Sequence, residues 1–295
     1  MAKLNRIIKA GEFKKIKITA DSSCDLNDEL IKKYNFSILP VHISLGDKEY
    51  TDSRDISQEE FYKFLKETSV MPRTSAYNPM EAEEFFKQQL ESDGGYDAII
   101  HFTISSKLSV IYQNSCTGAQ SFNGKVFVVD SMSLSTGVAL QMMYAYDLVQ
   151  EGLDAQEIYE KLLDRREKVQ ASFVIDKLTY LHKGGRCSGV ALFGSNLLQI
   201  KPIIVLKDGE MKVGKKLMGK FEKVVPQYVE HILETFPDID KKRCFITHTP
   251  VDKEIADVIR EQIKDKFDEI METTAGCTVG THCGPNTIGI LYYRK

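Results

Sequence analysis

The sequence has no run of about 18 apolar residues, so no segment of it reads as a membrane span. It has no Cys-x-x-Cys pair. Its six cysteines, Cys24, Cys116, Cys187, Cys244, Cys277 and Cys283, stand singly among apolar or small residues, the usage of a reduced, cytoplasmic protein. It has no excess of positive charge: 39 Lys and Arg face 42 Asp and Glu, a net charge of -3. That balance leaves no field to gather nucleic acid or an anionic membrane without specificity, though it permits a local basic patch. Internal repeats and low-complexity segments are also missing. Met1 to Phe13 has neither a continuous apolar core nor a small-residue cleavage pattern, which argues against a secretory signal. Because folded patterning begins at Ile16, residues 1–13 are read as a leader or tag outside the fold.

What is present suits a globular protein of two domains. The chain has 295 residues, 42% hydrophobic and 27% charged, enough to bury a sizeable core. Strand patterns at Ile16–Thr19, Asp97–Phe102 and Val126–Val129 alternate with helix patterns at Asn27–Tyr34, Asn78 onward and Ser109–Ser121, which predicts a parallel α/β layer. Ser37 to Leu45 reads as one strand turning at Gly46-Asp47, and Ser57-Gln58-Glu59-Glu60 as a capping box that opens a helix to about Thr68. Gly137 to Gln150 is apolar nearly all round and therefore buried on most faces. A charged amphipathic helix spans Asp154–Gln170, and the domain boundary is placed at its end, giving lobes of 14–170 and 171–295. The second lobe mixes strands at Ser172–Ile175, Cys244–His248, Ile270–Thr273 and Ile288–Tyr292 with helices at Phe221–Thr235 and Asp252–Phe267.

Several motifs carry chemistry. Gly209 to Lys216 nearly spells a phosphate-binding loop, but Lys216 stands where a Ser or Thr must reach the metal, and the segment reads as a hairpin. Ser105 and Ser106 sit at the end of a presumed parallel strand, where α/β sheets bind ligands and helix N-termini offer N–H groups to anions. With His282 and Asp130 they suggest a hydrolase, yet no G-x-S-x-G elbow is present. His282 beside Cys283, with Cys277 near, supplies too few ligands for zinc. Gly280 to Pro285 reads instead as a glycine-bracketed loop that presents His282. Thr74 precedes a helix already capped by Asn78 and is free for another role. On these residues alone phosphate, carboxylate and a reactive acyl group all remain open.

The ordered set Thr19-Ala20-Asp21-Ser22-Ser23-Cys24-Asp25-Leu26, Thr74-Ser75 before Asn78-Pro79, Ile104-Ser105-Ser106, Val129-Asp130-Ser131, Leu181-His182-Lys183-Gly184-Gly185-Arg186, Ile200-Lys201-Pro202-Ile203 and His282-Cys283-Gly284-Pro285 resembles the DegV family from about residue 16 to the end. It departs from the family pattern at Ala76, Lys107 and Asn286. The resemblance implies a parallel-sheet α/β/α lobe and a mixed-sheet α/β lobe, with a long-chain fatty acid such as palmitate in a tunnel between them. It implies Thr74 and Ser106, with Ser105 beside them, as the grip on the carboxylate. His282 joins by its similarity to acyl-binding subunits of bacterial fatty acid kinase, in which a separate kinase subunit makes acyl phosphate for phospholipid synthesis. No cofactor, metal or catalytic residue is implied, so the chain is read as a carrier; the alternative is an acyl hydrolase or transferase using Ser106 and His282. Arg186 is read as a structural cap or as part of a surface meeting the kinase. Leu140 and Met143 in the buried helix, and Phe193 and Leu197 further on, are the expected tunnel walls.

Overall fold

The computed structural model describes residues 14–68, 70–188 and 200–295. The first lobe runs β1 (Ile16–Asp21), a 3₁₀ turn (Ser22–Cys24), α1 (Asp28–Lys33), β2 (Ser37–Leu39), β3 (His42–Leu45), β4 (Lys48–Thr51), α2 (Gln58–Glu67), β5 (Arg73–Ser75), α3 (Pro79–Glu91), β6 (Ala98–Thr103), α4 (Ile111–Gly118), β7 (Val126–Asp130), α5 (Thr136–Gln150) and α6 (Ala155–Arg165). The second runs β8 (Val169–Ile175), α7 (Thr179–Gly184), β9 (Cys187–Ser188), β10 (Ile200–Lys207), β11 (Glu210–Met218), α8 (Phe221–Thr235), β12 (Ile239–His248), α9 (Lys253–Ile263), β13 (Glu269–Thr274), α10 (Cys277–Cys283) and β14 (Thr287–Arg294). Among the described residues no helix is long and apolar enough to cross a membrane.

Local chemistry sets several of the helix starts. Ser57 with Glu60, Asn78 with Glu81 and Asp154 with Glu157 form capping boxes, and Pro79 follows its cap at the first helical position. The segment expected as one strand from Ser37 to Leu45 is two. Pro40, which has no N–H for a ladder, ends β2 in the parallel sheet, and the chain restarts as β3 in a separate antiparallel sheet of order β4-β3-β5. The expected boundary at 170/171 falls inside β8, because α6 stops at Arg165 and a 3₁₀ turn leads into the strand at Val169.

Four parallel strands in the order β2-β1-β6-β7 form the first lobe's sheet, and β1 and β6 are buried along their whole length. The second lobe's sheet is mixed, in the order β13-β12-β14-β8-β10-β11-β9. Its β10–β11 connection turns at Asp208 and Gly209, both at positive φ, so the near phosphate-binding loop is indeed a hairpin. Helix α5 lies between the sheets, packed on β1 and β6 to one side and on β8, β12 and β14 to the other. This sandwiching explains its all-round apolar sequence.

Candidate functional site

In the parallel sheet, β2 lies on one side of β1 and β6 on the other, so the chain leaves the C-terminal ends of β1 and β6 in opposite directions. Such a switch point opens a crevice at the strand ends. Here Asp21, the last residue of β1, spans the two loops: its Oδ2 accepts from the Ile104 N–H at 2.7 Å and its Oδ1 from the Ser23 N–H at 2.9 Å. Beside them lies a cavity of about 370 Å³. That volume is in the range of small-molecule sites. Its walls come from both lobes. Val41, Ile104, Leu108, Ile111 and Leu134 of the first meet Met211, Val279 and Cys283 of the second.

Thr74, Ser106, Arg186 and His282, far apart in sequence, all line this cavity. Helix α10 brings His282 across, since it packs against β3 and β5 of the first lobe. The expected loop at Gly280–Pro285 is therefore mostly helix. Its glycines answer close packing: a Cβ on Gly280 would lie 2.5 Å from Tyr62 Oη and 2.9 Å from the Phe61 ring. Along α10, Thr278 and His282 are four residues apart and share a face, as do Val279 and Cys283, and all four reach the cavity. On the far side of the imidazole, a Cβ on Gly184 would lie 2.5 Å from His282 Nδ1, so glycine there gives the ring its place.

Five hydroxyl side chains line the cavity: Ser23, Thr74, Ser106, Ser109 and Thr278. Three of them donate hydrogen bonds to carboxylates. Ser23 donates to Asp21, Ser106 Oγ to Asp130 Oδ2 at 2.5 Å, and Thr278 Oγ1 to Asp52 Oδ2 at 2.5 Å. Ser109 Oγ accepts from the Ile111 N–H at 3.4 Å. Thr74 is different: its Oγ1 lies 3.0 Å from His282 Nε2. Burial, and secondarily the Arg186 guanidinium, push the His282 pKa down to about 4, so the ring is neutral at pH 7. A neutral ring protonated on Nε2 donates to Thr74 and leaves the threonine O–H free to donate onward.

Ser106 and His282 thus have different partners, Asp130 and Thr74, and do not form the nucleophile–base bond that the hydrolase alternative requires. Ser105 is not on the cavity wall. Its buried Oγ donates to the Gly209 carbonyl at 2.7 Å and accepts from the Lys107 N–H at 3.2 Å, pinning the strand end to the β10–β11 hairpin. Leu140 and Met143 belong to the core between the two sheets. Leu140 also borders a void of about 20 Å³ beside Arg165 and Asp240. Phe193 and Leu197 lie outside the described residues.

Sequence reasoning missed Lys107 and Ala76, both on the cavity wall at positions where the chain departs from the family pattern. It also missed Ser23 and Thr278. Ser23 had a signal, the polar turn closing a strand, whereas Thr278 had none until α10 was known to be a helix. With Arg186, Lys107 gives the mouth two cationic side chains, both exposed. Behind the hydroxyls, burial raises the carboxyl pKa of Asp21 and lifts that of Asp25 well above the ordinary range. Asp25 is held by Ser135 Oγ at 2.5 Å and the Gly276 N–H at 2.8 Å. Among the described residues no group of three or more His, Cys, Asp or Glu side chains is arranged to hold a metal ion.

Comparison with known proteins places this architecture. The family described as uncharacterised protein, DegV family, matches residues 15–295. A DegV domain-containing protein of Caldanaerobacter subterraneus subsp. tengcongensis is 30% identical over 287 residues, covering 96% of this chain and all of the relative. A Thermotoga maritima relative named fatty acid-binding protein is 28% identical, over 93% of this chain and 96% of its own length. The solved structure of a DegV family protein from Thermus thermophilus, described for its fatty acid binding, superposes with a TM-score of 0.83. It is 27% identical, and the match covers 95% of this chain and 100% of that one.

Proposed function

The chain belongs to the DegV family, and from that premise we propose that its inter-lobe cavity holds a long-chain fatty acid such as palmitate. One observation carries the reading: an apolar cavity in which Thr74 Oγ1 lies 3.0 Å from Nε2 of the neutral His282 ring, so that with Nε2 carrying the ring proton the threonine O–H is left for a ligand. Each buried methylene contributes about 0.8 kcal/mol, so the tail supplies most of the affinity. The head group need only avoid the several kcal/mol that an unpartnered buried carboxylate costs. Thr74 donates to one oxygen with His282 behind it, and the cationic Lys107 and Arg186 make the potential at the mouth more positive, which favours an anion there. Ser106 contributes once its hydroxyl turns from Asp130. The fatty acid-binding relatives from Thermotoga and Thermus support the ligand class.

The role is that of a carrier and not of a catalyst. Ser106, Lys107 and Arg186 are exposed at the mouth, which leaves a head group there within reach of a second protein. A separate kinase subunit that phosphorylates the bound acid fits that exposure, with Arg186 on the surface it meets. Among the described residues the six cysteines form no disulfide, as suits the cytoplasm.

Mass spectrometry of an organic extract of the purified native protein tests the proposal. A stoichiometric long-chain fatty acid is expected. Protein that carries none, and takes up none when it is offered, contradicts the reading.

A further inference from the structure

The main cavity and a second void of about 30 Å³ share three lining side chains, Leu134, Val279 and Cys283. Beyond them that void is bounded by Phe173, Ala275 and Leu291. The hydroxyls around it are already occupied. Thr247 Oγ1 is 2.6 Å from Thr136 Oγ1 and 3.2 Å from Thr273 Oγ1, and Ser172 Oγ is 2.9 Å from Tyr228 Oη. A space of this size without free polar partners does not hold water well, and it suits hydrocarbon.

We propose that Leu134, Val279 and Cys283 are the end-stop that sets the longest acyl chain this protein accepts, by closing the main cavity off from the second void. This rests on the fatty-acid reading above.

The wall is built to stay in place. Leu134 sits in the loop between β7 and α5, where Ser133 N–H is held by Ser131 Oγ at 3.1 Å, Ser135 Oγ donates to buried Asp25 at 2.5 Å, and Gln141 Nε2 donates to the Ser131 carbonyl at 2.9 Å. Val279 and Cys283 stand one turn apart on α10, which Gly280 seats against the rings of Phe61 and Tyr62. Leu134 is 7% exposed and Cys283 5%. A methylene that finds apolar cover strengthens binding roughly fourfold. That gain stops at the carbon that meets the wall.

The test is competition binding of a homologous series of saturated fatty acids to the wild type, Leu134→Ala and Val279→Ala, with thermal melts to establish that each variant is folded. In the wild type, affinity should climb roughly fourfold per methylene and then break. In Leu134→Ala, which removes three carbons from the wall and joins the two spaces, the break should move about two to three carbons longer. Val279→Ala, a smaller truncation, should move it by about one and serves if Leu134→Ala does not fold. A wild type that binds fatty acids normally but whose break stays at the same length in the folded variants overturns the end-stop alone. A wild type that binds no fatty acid overturns the parent reading, and this one with it.

Discussion

At the scale of single residues, the cavity is governed by where its hydroxyl protons point. Thr74, Ser106 and His282 were singled out by the family resemblance and Arg186 by its place after Gly184-Gly185, and all four line the cavity. Ser105 was not separable from Ser106 by sequence. Neighbouring residues at the end of a strand face opposite ways, and Ser105 takes the side of the β10–β11 hairpin. Nor could sequence show that Ser106 is committed to Asp130, which accepts from the Ser106 hydroxyl and, through Oδ1, from the N–H groups of Ser106 and Met132 at 3.1 and 3.0 Å. That pairing leads to a prediction. In Asp130→Asn the amide oxygen keeps the two backbone donors while the amide N–H donates to Ser106 Oγ, releasing the serine proton to the ligand and removing a negative charge. Titration with a fluorescent fatty acid should show affinity raised by about tenfold, the lower end of what a hydrogen bond to a charged group contributes. Weaker binding by folded Asp130→Asn would mean that Ser106 serves the site in its Asp130-bound orientation.

At the scale of elements, sequence reading succeeded where a cap or a turn residue punctuates the chain. Helix α8 spans Phe221–Thr235 as expected, and α2, α3 and α6 begin at their capping boxes. It failed where glycine serves packing between elements. Helix α10 carries Gly280 inside and Gly284 after its end, a composition that reads as a loop. The physical reason for Gly280 is the contact of α10 with α2, which depends on residues more than 200 positions away, such as Tyr62 Oη donating to the Ala275 carbonyl. Two effects therefore compete in Gly280→Ala. Helix propensity alone favours the change by about 1 kcal/mol. Overpacking against Phe61 and Tyr62 costs about 1–3 kcal/mol. The second should win: chemical denaturation is expected to show a net loss of about 1 kcal/mol, accompanied by weaker fatty-acid binding as Thr278 and His282 shift. A gain in stability with unchanged binding would show that α10 has room to spare.

At the scale of the whole molecule, the two-lobed α/β plan was legible from the alternation of patterns, but the seam between the lobes was not. An all-apolar helix has two explanations, a cavity wall or a sandwiched core, and α5 is the second. Its one charged residue, Asp147, faces the seam and receives Arg243 of β12 through two bonds of 2.5 and 2.9 Å. Burial alone would raise its carboxyl pKa, and Arg243 with Lys242 overcomes that and holds it below the ordinary Asp value. With α5 filling the seam, the main cavity lies at the switch point at the ends of β1 and β6, where hydroxyls of one lobe meet the imidazole of the other. The central claim is that this junction grips a fatty-acid carboxylate through Thr74. Carbon-13 NMR of carboxyl-labelled palmitate bound to the protein tests it most directly. The account predicts one saturable bound carboxyl resonance, shifted and weakened in occupancy in Thr74→Ala but unmoved in Ser105→Ala. A bound resonance that Thr74→Ala leaves unchanged, or no bound resonance at all, would contradict it.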